Sequence, residues 1–115
     1  MKRKSIKIFK ALGDPNRVRI LKMLEAGELC VCEVREVLNL SASTVSKHLS
    51  ILRDADLLVD SKAGKWVNYT LNGRTNNRVV RSLLGLVKSS FSDDEQVVLD
   101  RKKLRKVDRN SICHM

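Results

Sequence analysis

Cys30 and Cys32 stand one residue apart in the stretch Glu28-Leu29-Cys30-Val31-Cys32-Glu33. Two thiols this close along a chain can be bridged by a single thiophilic ion, and soft thiolate sulfur prefers soft ions over magnesium or calcium. The thiolate is the binding species, so such a site needs lowered thiol pKa values. A helix start at the box and the guanidinium of Arg35 favour the thiolate; Glu28, Glu33 and Glu36 oppose it. If both cysteines lie on one helix, positions i and i+2 point about 200° apart. Both sulfurs then meet one ion only if the helix start bends, and the strain passes to whatever follows. The remaining thiol is Cys113, beside His114 near the C-terminus. The plainer reading of any one of these cysteines is a small buried hydrophobe.

The elements that position the box can be read from the pattern around it. Asp14 and Pro15 have the types wanted at an N-cap and first helical position. Val18, Leu21 and Leu24 follow at helical spacing, and Gly27 closes that helix. Before it, residues 4–12 read as a short amphipathic helix ending at Gly13. Val31, Val34 and Leu38 place one apolar face on a helix over 30–38 that includes the cysteines, and Asn39-Leu40-Ser41 breaks it. Ser41 or Ser43 caps the next helix, whose buried stripe is Val45, Leu49 and Leu52. Its outer turns carry Ser43, Thr44, Ser46, Lys47 and His48. Two short helices joined by a tight turn, the second with a small polar face, form a helix-turn-helix pattern that offers those five side chains to the DNA major groove.

Two strand-like runs, Leu57-Leu58-Val59 and Trp66 to Leu71, flank a Gly-containing turn and predict a β-hairpin with Lys62 and Lys65 at its tip. The fold class is therefore mainly α with a β-hairpin wing, a winged helix-turn-helix. Residues 75–91 form a further helix, apolar on more than one face, which predicts cover from the core on one side and a second subunit on the other. Ser92-Asp93-Asp94-Glu95 has capping-box spacing and starts a last helix to about Val107. The expected division is a DNA-binding and dimerisation domain over 1–91 and a C-terminal helix with basic tail over 92–115.

The bulk composition agrees. The 115 residues are 43% hydrophobic and 31% charged, which suits one globular unit rather than a disordered chain. Its aromatics are Phe9, Trp66, Tyr69 and Phe91, so the core rests on Leu, Val and Ile, and a thin core in a short chain leans on a dimer partner. The formal charge of +10 argues for a polyanionic partner. Lysines and arginines load the first ten residues and the stretch from Arg101 to Arg109, where they are expected to add phosphate contacts. No apolar run approaches the roughly 20 residues that cross a bilayer, and no apolar signal core follows the basic N-terminus. The expectation is a cytoplasmic protein with reduced thiols and no membrane partner. No Cys-X-X-Cys, thiol triad or phosphate-binding glycine loop supports an enzyme.

The string from Leu12 to Leu21, the Cys30-Val31-Cys32 box, the segment Ser43-Thr44-Val45-Ser46-Lys47-His48-Leu49-Ser50-Ile51-Leu52-Arg53 and Gly64-Lys65-Trp66-Val67-Asn68-Tyr69 together resemble the ArsR/SmtB family, in order and over half the chain. The resemblance implies a homodimeric winged-helix repressor that occupies double-stranded operator DNA and leaves it when a metal or metalloid binds. The chain departs from the family pattern in several places. Arg35 stands where arsenite sensors often carry a third cysteine, no cysteine precedes Cys30, Asp56 replaces a usual Gly, and residues 74–91 hold no histidine or carboxylate for a zinc-type site.

The favoured inducer is trivalent arsenic or antimony on Cys30, Cys32 and Cys113, with cadmium, lead and zinc ranked behind. Trivalent arsenic wants three sulfurs, and Cys113 is the thiol left to complete the box. An arsenical carrying one carbon substituent needs only two. A four-ligand zinc or cadmium set would add His114, and a redox or sulfide sensor would oxidise the same thiols. A general basic nucleic-acid binder is the other reading, disfavoured by the near-neutral helix face.

Overall fold

The computed structural model describes residues 3–108 and 112. The order of elements is α1 (Arg3–Ala11), α2 (Pro15–Leu24), β1 (Leu29–Cys30), α3 (Val31–Leu38), α4 (Ala42–Asp54), β2 (Leu58–Ala63), β3 (Trp66–Leu71), α5 (Arg78–Ser89) and α6 (Glu95–Leu104). Asp14 Oδ1 accepts from the N–H groups of Asn16 at 2.8 Å and Arg17 at 3.3 Å, satisfying donors that the helix start leaves open. Asn39 ends α3 at φ 56°, and Asp56 turns the chain out of α4 at φ 63°, as its residue type allows.

The sheet is antiparallel in the order β1-β3-β2. Ala63 pairs with Trp66, so Gly64 and Lys65 form a two-residue turn, and Gly64 supplies the positive φ of 61°. The third strand, β1, has no counterpart in the expectation of a simple hairpin. Leu29 pairs with Tyr69 and Cys30 with Asn68. Cys30 is therefore extended, at φ −95° and ψ 170°, and serves as the N-cap of α3 rather than a residue of its first turn.

Two other helices have different bounds. The helix expected over 75–91 runs from Arg78 to Ser89, because Asn77 Oδ1 accepts from the N–H groups of Val79 and Val80 at 2.9 and 3.1 Å. Asp94 displaces the expected Ser92 as cap of α6: its Oδ1 accepts from Gln96 at 3.0 Å and Val97 at 3.2 Å. A carboxylate suits the positive end of the helix dipole. The helix ends at Leu104, short of the expected Val107.

The core gathers Ile8, Ile20, Leu21, Val34, Val45, Leu49, Leu52, Leu57, Leu58 and Val80, all buried beneath α4 and between the helices. Two charged groups lie inside it. Lys22 is 1% exposed; its Nζ donates to the carbonyls of Val87 at 3.0 Å and Lys88 at 3.3 Å, at the negative end of α5. The same ammonium lies 2.8 Å from Glu25 Oε2, in ion-pair range but outside hydrogen-bond geometry. Asp100, 3% exposed, receives both Nε and Nη2 of Arg19 at 2.8 and 2.9 Å, which fastens α6 to α2. That hydrogen bond raises the Arg19 pKa above the ordinary arginine value against the pull of burial. Among the described residues no helix is long and apolar enough to cross a membrane.

Candidate nucleic-acid interface and thiol site

The underside of α4 is anchored by Val45, Leu49 and Leu52, each fully buried, so its opposite face is fixed outward. Ser43, Thr44, Ser46 and Lys47 are exposed there and His48 is half-buried. The first two are tied into the helix start: Ser41 Oγ accepts from the Thr44 N–H at 3.2 Å, donates to Thr44 Oγ1 at 2.8 Å and lies 3.2 Å from Ser43 Oγ. Hydroxyls held in this way present their remaining lone pairs in a set direction. Lys62 and Lys65 are exposed on the wing. Lys65 Nζ stands 4.8 Å from the centroid of the Trp66 ring, a cation–π contact within the wing.

Two arginines lock this surface together, and local patterning does not reveal either one. Arg53, in the last turn of α4, donates to Asp60 Oδ2 on β2 at 3.1 Å and so fixes the wing against the helix. That hydrogen bond raises its pKa above the ordinary arginine value. Arg17, from α2, reaches His48 on α4 at 3.2 Å.

The cysteine box lies at the junction of β1 and α3. Cys30 is 3% exposed and keeps its thiol. Its N–H donates to Glu33 Oε1 at 3.0 Å, and its sulfur faces the Glu33 N–H in return, a reciprocal cap with cysteine in the serine position. Cys32 is half-buried in the first turn of α3 and is disulfide-bonded, against the expectation of reduced thiols. The two sulfurs of the box are not bridged to each other. Cys113, expected as third ligand, and His114 lie outside the described residues. Because Cys30 is extended, the expected conflict between two cysteines on one helix becomes a question of how a strand end meets a helix start. Asn68, buried opposite Cys30 on β3, donates to Glu28 Oε1 at 3.3 Å, so the box meets the wing strand through both its backbone pairing and the Glu28 side chain.

A three-stranded antiparallel sheet, a capped second helix after a tight turn and a basic-tipped hairpin define a winged helix-turn-helix protein. The chain belongs to the arsR family of bacterial regulatory proteins, whose pattern residues 14–59 match. It is 47% identical over 68 residues to an arsenical resistance operon repressor of Escherichia coli, a match covering 58% of each chain. It is 30% identical over 86 residues to the transcriptional repressor SdpR of Bacillus subtilis, covering 75% of this chain and 96% of that one. A cadmium resistance regulatory protein homologue of Staphylococcus aureus is 43% identical over 67 residues, covering 57% of this chain and 55% of that protein. The chain thus spans little more than half the length of the arsenical and cadmium relatives. The homodimeric winged helix-turn-helix domain of a possible ArsR-family regulator from Mycobacterium bovis superposes with a TM-score of 0.63 at 25% identity, covering 74% of this chain and 75% of that one.

Proposed function

We propose that this protein is a transcriptional repressor that binds operator DNA as a homodimer and is released when trivalent arsenic or antimony binds the thiolates of Cys30 and Cys32, with Cys113 as third ligand. The observation that carries the reading is the ladder between β1 and β3. It joins the thiol box to the wing, while the same residues start α3 of the helix-turn-helix. An ion drawing Cys30 toward Cys32 pulls on the Cys30–Asn68 pairing and on the Glu33 cap together. The relatives associated with arsenical resistance support arsenic as inducer, and the cadmium relative keeps cadmium as the next candidate.

Ser43, Thr44, Ser46, Lys47 and His48 read the major groove, and Lys62 and Lys65 hold flanking phosphates. The homodimer forms through the exposed apolar residues Phe9, Leu86, Phe91 and Leu99 on and beside the outer helices. Two readers one helical turn apart then imply an imperfect palindrome as operator. The 1–91 unit carries reading and dimerisation, and the region from 92 onward adds its helix and basic tail.

The test selects a duplex from a random pool with the reduced protein, then titrates arsenite and a monosubstituted arsenical into the complex. Release by wild type, lost in Cys30→Ser, is expected; loss of the arsenite response alone in Cys113→Ser assigns three ligands to arsenite and two to the organic arsenical. Release that survives Cys30→Ser defeats the proposal. A second reading, a thiol-oxidation switch, is favoured by the disulfide at Cys32. Forming a disulfide passes two electrons and two protons from two thiols to an oxidant such as peroxide. Under that reading peroxide releases DNA and arsenicals do not.

A further inference from the structure

Arg17 is outside the reading helix, yet all three of its guanidinium nitrogens are engaged around it. Nε donates to the Ala11 carbonyl at 2.7 Å and Nη2 to the Lys10 carbonyl at 3.2 Å, closing the end of α1. Nη1 lies 3.2 Å from His48 Nδ1. A guanidinium has donors and no acceptor, so Nδ1 is the acceptor of this bond. A neutral imidazole has one proton, and it is then on Nε2. The ring is also held in place, because Arg17 is fixed at two other points by backbone. Among the described residues no hydrogen bond is formed by Nε2. Beside this clasp, Lys7, Lys10, Arg17, Ile51 and Asp54 line a shallow depression of about 330 Å³, which leaves the surroundings net basic.

We propose that Arg17 is a positioning residue for DNA recognition: it holds His48 as an Nε2–H donor aimed at a hydrogen-bond acceptor of the duplex. The inference rests on the DNA-reading function proposed above and adds to it the donor polarity of one reading side chain. The acceptor is a phosphate oxygen or a purine N7 or carbonyl edge, the same chemistry from two sources.

A double-mutant cycle tests it, with the duplex selected by wild type as probe. Arg17→Met keeps length and removes every donor. It weakens binding about threefold to tenfold when His48 is present, the range for one hydrogen bond. In a His48→Ala background it costs less than about twofold, because nothing is left to orient. Arg17→Lys, which keeps a donor, recovers part of the loss. Equal losses in both backgrounds overturn the proposal, since they show Arg17 acting on the α1–α2 junction alone; thermal melts of each variant establish that it is folded.

Long-range proton–nitrogen spectra of the imidazole give a readout that needs no DNA. Wild type shows Nε2–H with an unprotonated Nδ1, and a wild-type Nδ1–H signature overturns the assignment. If no duplex binds, the DNA reading and the proposed role fall together, while the spectra still report the clasp separately. Operator substitution separates the acceptors. A His48 effect confined to one base pair identifies a base edge, and an equal effect on selected and random duplexes identifies a phosphate.

Discussion

The two helices of the helix-turn-helix begin in different ways. α4 starts at Ser41, whose hydroxyl serves Thr44 and lies against Ser43 within the same exposed turn. Among the described residues its side-chain capping bonds stay within that turn. α3 starts at Cys30, which is at once a strand residue paired to Asn68, a helix cap paired to Glu33, and a thiol. A change at the first start stays local; a change at the second reaches the sheet, the helix and the wing. Under the proposed function, the contrast would separate a part that reads DNA from a part that responds to a thiol ligand.

The contrast is open to attack at several scales of effect. Leu49→Ala, in the buried stripe of α4, is expected to cost about 2–5 kcal/mol of stability because the surrounding core cannot fully collapse. Chemical denaturation measures this, and a cost well under 1 kcal/mol would show that α4 is not anchored as described. The two caps give a sharper comparison at smaller cost. Ser41→Ala and Glu33→Ala should each lose about 1 kcal/mol, within the range for helix caps. Only Glu33→Ala should also shift the arsenical concentration that releases DNA, because Glu33 holds the Cys30 N–H. Equal shifts from both, or from neither, would end the distinction between a reading start and a responding start.

Much of this was legible from residue types at short range. Asp14-Pro15, the Val45-Leu49-Leu52 stripe and the Gly64-Lys65 turn each declare themselves within one or two helical turns or a single hairpin. What stayed hidden depends on distant partners. β1 is two residues long and exists only because Tyr69 and Asn68 lie beside it. The Arg17–His48 clasp joins residues 31 positions apart, and the Arg19–Asp100 pair joins residues 81 apart. A lone charge in a sequence looks solvated until its partner is known. The displacement of Ser92 by Asp94 is a subtler case: both are good caps, and the chain's path out of α5, with Phe91 at φ 64°, decides between them.

Lys22 has a consequence for handling the molecule. Its amine is enclosed and bonded to the end of α5, whereas Lys62, Lys65, Lys102 and Lys103 are open to solvent. An acylating reagent added to the folded protein will modify the outer lysines first and reach Lys22 only through opening of the fold. The rate at which that one position is modified is therefore a built-in clock for unfolding, readable by mass spectrometry with or without DNA and arsenic present.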